Sequence, residues 1–181
     1  MKTRFVLLGM LIAAPLSAQK VTLGANFGGS SAASDLTSST NWKGGWSAAA
    51  TLGYRLSQRF GLRGDATWAQ NNLNGGTGGS SAQEIRKNSF IANGVWQREE
   101  TPGTRVLPYV LAGLGAVRVR DKASDSAFTK FATNLGAGLG YVLGRVALRA
   151  EMKDMIYKFD EFGYDKTQND LLWQAGFTVK L

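Results

Sequence analysis

Trp46-Ser47-Ala48-Ala49-Ala50-Thr51-Leu52-Gly53-Tyr54-Arg55-Leu56 decides the fold class. Its even-numbered residues are apolar, and Ser47, Ala49, Thr51, Gly53 and Arg55 between them are small or polar. A period of two belongs to a β-strand with one apolar face. The same period recurs along the chain. Val21, Leu23, Ala25 and Phe27 alternate with Thr22, Gly24 and Asn26, and Phe60, Leu62, Gly64, Ala66 and Trp68 with Gly61, Arg63, Asp65 and Thr67. Further on, Phe131 to Leu143 alternates with Asn134, Gly136, Gly138 and Gly140. Val146, Leu148, Ala150 and Met152 then oppose Arg149, Glu151 and Lys153, and Leu171 to Leu181 oppose Gln174, Gly176, Thr178 and Lys180. Ser89 to Gln97 is less regular, because Ile91 and Val95 share the polar face with Asn93. Val106 to Arg120 is apolar on both faces until Arg118 and Arg120, which places Tyr109, Leu111, Val117 and Val119 on the outward side. These segments make eight strands and leave no sustained helical period.

The connections alternate in length. Gly28 to Asn41, Gln70 to Asn88, Asp121 to Ala127 and Tyr157 to Gln168 are long and rich in Gly, Ser, Asn and charge, while Ser57 to Arg59, Arg98 to Thr104 and the stretch around Gly144 are short. Long loops at one end and short turns at the other describe an all-β, eight-stranded antiparallel up-and-down barrel inserted from one side of a membrane. Residues 1–18 read as a signal peptide: Lys2 and Arg4 precede an apolar stretch from Phe5 to Ala14, and Pro15-Leu16-Ser17-Ala18 leads to a cut before Gln19. The barrel domain is then 19–181. Without Lys2 and Arg4 the net charge falls from +8 to +6. That charge is scattered, with no basic run to follow a phosphate backbone, which argues against nucleic acid. With no Cys, a disulfide scaffold is excluded.

Period two yields two faces without saying which meets solvent, and a soluble lipocalin-like barrel would turn the apolar face inward. The aromatics favour the reverse. Phe27, Trp46, Trp68, Phe90, Phe131 and Trp173 gather at the long-loop ends of the strands, and Tyr54, Phe60, Trp96, Tyr109, Tyr141 and Phe177 at the short-turn ends. Two such girdles are what a lipid-facing wall carries, and eight tilted residues between them, as from Trp46 to Tyr54, rise roughly 20 Å along the membrane normal. Leu52, Ala137 and Leu148 are placed near the midplane facing lipid, with Thr51, Gly138 and Arg149 beside them facing inward. The Gly-, Ala- and Ser-rich opposite face suits the narrow interior of eight strands.

This layout resembles the small eight-stranded outer-membrane barrels, the group of the OmpA transmembrane domain, OmpX and the opacity-type adhesins. The resemblance rests on Pro108-Tyr109-Val110-Leu111-Ala112-Gly113-Leu114-Gly115, on Asn134-Leu135-Gly136-Ala137-Gly138-Leu139-Gly140-Tyr141, and on the final Phe177-Thr178-Val179-Lys180-Leu181. Such chains usually end in an aromatic, and here Leu181 stands in its place. The resemblance implies a bacterial outer-membrane location with external loops and periplasmic termini, insertion by the barrel-assembly machinery, and outer-membrane lipid and lipopolysaccharide as partners of a monomer.

The chain has no His. The lipid A deacylases and palmitoyltransferases, barrel enzymes of similar architecture, rely on a His beside a Ser, and neutral-pH base catalysis most often needs an imidazole. The expectation is therefore a non-enzymatic protein with no cofactor and no metal. Arg55, Arg63, Asp65, Arg118, Arg149, Glu151 and Lys153 read as an inward charge network that plugs the lumen, since a buried charge is tolerable only when paired. A narrow pore for small solutes is the alternative. Asp160, Glu161 and Asp165 miss the spacing of a calcium loop, and Gly75 to Ser80 lacks the Lys and helix of a phosphate loop. Tyr157, Phe159, Phe162 and Tyr164 in the last long connection read as exposed aromatics that extend the sheet, with contact to lipid headgroups or to a partner as the alternatives. The role expected is structural or adhesive, carried by four external loops.

Overall fold

The computed structural model describes residues 20–32, 44–73, 83–121, 127–159 and 166–181. Eight strands, β1 (Val21–Ala32), β2 (Gly45–Arg55), β3 (Phe60–Leu73), β4 (Gln83–Gln97), β5 (Val106–Asp121), β6 (Ala127–Leu143), β7 (Val146–Phe159) and β8 (Lys166–Lys180), form a closed antiparallel barrel. β8 closes onto β1 through Thr22↔Lys180 to Ala32↔Asp170. The expected signal peptide over 1–18, Asp160, Glu161, Phe162, Tyr164, Asp165 and the Gly75 to Ser80 stretch lie outside the described residues.

Register fixes the shape. Stepping across the sheet from Val21 through Tyr54, Leu62, Gly94, Ala112, Leu135, Asp154 and Leu171 returns to β1 at Ser31, a shift of ten residues. With strands about 4.8 Å apart and about 3.3 Å per residue, eight strands and that shift give a tilt of about 40° and a backbone radius of about 8 Å. Inward side chains fill so narrow a cylinder.

The short turns are built as expected. Ser57 Oγ accepts hydrogen bonds from the Arg59 and Phe60 amides. Gly103 (φ 86°) and Gly144 (φ 66°) take the left-handed conformations that tight turns require and that glycine adopts without a Cβ clash. At the other end the strands run further than the sequence reading placed them. The β3–β4 ladder continues to Leu73↔Gln83 and the β7–β8 ladder to Phe159↔Lys166, inside segments expected to be loop. Backbone pairing needs no apolar side chains, so the ladder continues where the outward alternation fades.

Seven strands face as expected: Leu23, Phe27, Leu52, Leu62, Leu135, Leu139, Met152 and Phe177 are exposed on the outer wall, and Asn26, Thr51, Arg63, Asp65, Asn134, Glu151 and Gln174 are buried within. β5 is reversed. Tyr109, Leu111, Val117 and Val119 are all buried in the lumen, and Val110 and Leu114 are exposed. The cause lies in the neighbouring strands. Residues directly opposite in a ladder share a face. Tyr109 is paired with Gln97 and Gly138, and Gly113 with Asn93 and Asn134, all inner-face positions, so the parity of β5 is set from both sides. Leu148 faces outward, yet it pairs with Tyr141 and so lies at the short-turn ring rather than at mid-height.

Candidate functional site

The lumen holds the charged chemistry of this chain, in layers. At its centre, Arg63 Nη1 donates to Glu151 Oε2 at 2.6 Å and Arg63 Nη2 donates to Asp65 Oδ2 at 2.8 Å. Lys153 Nζ lies 3.1 Å from Asp65 Oδ2 and 3.1 Å from Glu151 Oε1. Two cations and two carboxylates thus form a closed quartet with side chains at most 3% exposed. Tyr109 Oη adds a hydrogen bond to Glu151 Oε2 at 2.8 Å. Each carboxylate meets both cations, the arrangement that makes buried charge tolerable. Glycine provides the space. A Cβ at Gly138 would collide with the Tyr109 ring, and one at Gly136 would meet Lys153 Cγ at 2.8 Å. The Gly-rich inner face of β6 is therefore the complement of the large side chains opposite.

Toward the long-loop end the quartet is followed by an apolar layer of Ile91, Val117, Ala132, Met155 and Leu172. Beyond it Lys87 Nζ donates to both oxygens of Asp170, at 2.7 and 2.6 Å, and lies 5.7 Å from the centre of the buried Tyr157 ring. Toward the short-turn end, the Arg149 guanidinium carbon lies over the Tyr109 ring, 4.5 Å from its centre. At the mouth Glu100, from the β4–β5 turn, accepts from Lys180 at 3.0 Å and lies 3.5 Å from Arg55. The Lys180 hydrogen bond, with Arg55 nearby, holds the Glu100 carboxyl below the usual carboxylate range.

Of the seven residues expected in the lumen network, Arg63, Asp65, Glu151 and Lys153 meet in the quartet, Arg149 stands beside it, and Arg55 is at the mouth. Arg118 is a correction: the reversal of β5 puts it on the outer wall, where it is exposed. Tyr109 is the matching correction among the aromatics, 3% exposed and hydrogen-bonded inside the barrel rather than part of a girdle. The other eleven, Phe27, Trp46, Trp68, Phe90, Phe131 and Trp173 at one end and Tyr54, Phe60, Trp96, Tyr141 and Phe177 at the other, are exposed on the outer wall. Tyr157 and Phe159 extend the sheet as expected, within β7, but Tyr157 is corrected in its exposure, being 4% exposed and turned into the barrel. The sequence reading missed Lys87, Asp170 and Glu100 as lumen charges, and it placed Lys180 on the inner face without joining it to the network. Carrying the alternation of β4 and β8 two residues past its apolar stretch would have found Lys87 and Asp170. Glu100 sits in a turn, where period two says nothing.

Comparison with known proteins agrees with this geometry. Residues 3–181 match the outer membrane protein beta-barrel domain. No curated protein matches the chain in sequence. Among solved structures, Neisserial surface protein A is 19% identical at a TM-score of 0.65, covering 89% of this chain and 97% of its own. The outer membrane protein OprG from Pseudomonas aeruginosa is 12% identical at a TM-score of 0.59, over 90% and 97%. Ail, the attachment invasion locus protein of Yersinia pestis, is 17% identical at a TM-score of 0.51, over 88% and 98%. At such identities the likeness is one of fold.

Proposed function

This chain belongs to the outer membrane protein beta-barrel domain family, and from that premise we propose that it is a non-enzymatic, monomeric surface protein whose closed barrel anchors four external loops. Membership sets aside the soluble lipocalin-like alternative. The observation that carries the proposal is the filled lumen. A quartet of paired charges, an apolar layer and the Lys87–Asp170 pair lie in series across a cylinder of about 8 Å backbone radius, so the barrel serves as a support rather than a conduit. The contact function then falls to the loops, and termini at the short-turn end face the periplasm once a leader ending at Ala18 is removed. Ail, of the same fold, has been solved with the heparin analogue sucrose octasulfate, which supports external contact as a use for this architecture. The test is conductance in a planar bilayer. Small, intermittent current is expected from the wild-type barrel; a steady large channel would overturn the plugged reading and favour the narrow pore.

The outer wall supports lipopolysaccharide as the lipid partner. Arg86 and Arg120 face one another on β4 and β5, with Arg118 opposite Asn88, and all three arginines are exposed. Arg86 lies four residues beyond the girdle residue Phe90, about 10 Å higher along the membrane normal. A phosphate-bearing leaflet at that height attracts exposed arginines, by about 1 kcal/mol each. Adding lipopolysaccharide to phosphatidylcholine vesicles should raise the unfolding free energy of the wild type, and a triple Arg86→Gln, Arg118→Gln, Arg120→Gln variant should lose most of that gain. An undiminished gain in the variant would remove these arginines from the contact.

A further inference from the structure

We propose that the short-turn mouth of the lumen is a binding site for a small oxyanion, a phosphate or carboxylate group, with Arg149 as its principal ligand. A cavity of about 80 Å³ opens there, and Arg55, Arg149, Lys180, Tyr109, Thr178 and Gln97 are among its lining. About 10–15 Å³ of such volume holds one water, so the space takes a phosphate-sized group with solvent to spare.

The charges of this mouth do not balance. Deeper in the lumen, the Arg63, Lys153, Asp65 and Glu151 quartet is neutral as a set, and Lys87 is matched by Asp170. At the mouth, Arg55 and Lys180 share the single carboxylate of Glu100. Arg149 has no carboxylate partner among the described residues; its contact is the face of Tyr109, whose hydroxyl is itself committed to Glu151. The partly open mouth therefore carries three cations and one acid, an excess of positive charge that attracts anions.

The donors are also arranged for an oxyanion. The Arg149 guanidinium lies over an aromatic ring, a contact that uses none of its N–H donors, and its fork of donors matches the two oxygens of a carboxylate or phosphate. Arg149 is flanked across the ladder by Gly140 and Gly176, so no neighbouring inward side chain on β6 or β8 stands beside it at that level. The buried Nε2 of Gln97 is a further donor without an acceptor among the described residues. The proposal does not depend on what the loops contact, and it is compatible with a sealed barrel, because the mouth is reached from one side only.

The experiment uses the folded barrel in detergent micelles. Inorganic phosphate is titrated at constant ionic strength against chloride while the Arg149 Nε–H resonance is followed by NMR. A saturable shift is expected with phosphate and none with chloride; Arg149→Gln should weaken phosphate binding at least tenfold, followed on backbone amides around the mouth, and Arg149→Lys should weaken it less. If Arg149→Gln does not fold, the wild-type titration and Arg149→Lys still decide. Glycerol phosphate separates two sources of the group: binding as tight as that of phosphate identifies the end group of a larger molecule, and tenfold weaker binding a free ion. A shift that is linear in phosphate, or equal in chloride, overturns the site. Failure here with small bilayer currents would leave the anchoring role standing, whereas a large steady channel would remove that role and not this one.

Discussion

Glu151→Ala is expected to lower the folding free energy of the barrel in lipid vesicles by about 3–5 kcal/mol, the cost of leaving buried cations without their counter-charge. Glu151 accepts from Arg63 and from Tyr109 and lies 3.1 Å from Lys153, so its removal leaves two cations to Asp65 alone and orphans a phenol hydroxyl. The sign is not that of ordinary polar deletion. Replacing a whole buried ion-pair set by well-packed apolar residues is often neutral or stabilising, whereas removing one member is not. Glu151→Gln should fall between the two, since an amide oxygen still accepts one hydrogen bond while the charge is lost. Urea unfolding in vesicles measures all three barrels. A loss below about 1 kcal/mol for Glu151→Ala would mean that water reaches the quartet and screens it, and the plugged lumen would have to be abandoned.

Arginine at the middle of the outer wall should cost about 2–4 kcal/mol, the penalty for a charge at the bilayer midplane of a barrel's lipid face. Ala50 is the best probe, because it lies midway between Trp46 and Tyr54 on an exposed face. Ala137→Arg should behave alike, and Leu148→Arg should cost less because Leu148 sits beside the Tyr141 ring. Thr51→Ser, one residue from Ala50 but inside, should cost far less than any of them. The same measurement tests the reversal of β5. Leu111 is 1% exposed, so Leu111→Ala should cost about 2–5 kcal/mol as a core deletion, and Ala112→Arg should carry the lipid-face penalty. Equal costs at Ala50 and Thr51 would mean the barrel is inside out. A negligible cost at Leu111 would return β5 to the facing read from the sequence.

Strand number, the order of long and short connections, and the facing of seven strands are written in the local sequence, because a strand's two faces alternate residue by residue and each carries its own composition. The outer wall is legible for the same reason: lipid demands apolar residues at every second position, whatever lies across the barrel. β5 has no such contrast. Its inner face is as apolar as its outer one, since Tyr109, Leu111 and Val117 pack against the lumen, and its arginines lie outside. Only the ladders to β4 and β6 fix which face turns in, and those are tertiary facts. The charge network divides in the same way. That Arg63, Asp65, Glu151 and Lys153 point inward follows from parity, but that Arg63 meets Glu151 across 88 residues, Lys87 meets Asp170 across 83, and Arg149 is left with a ring and a cavity does not. Those pairings depend on the shift of ten residues at closure, a property of the whole barrel that sets which inward side chains share a level and that no single strand encodes.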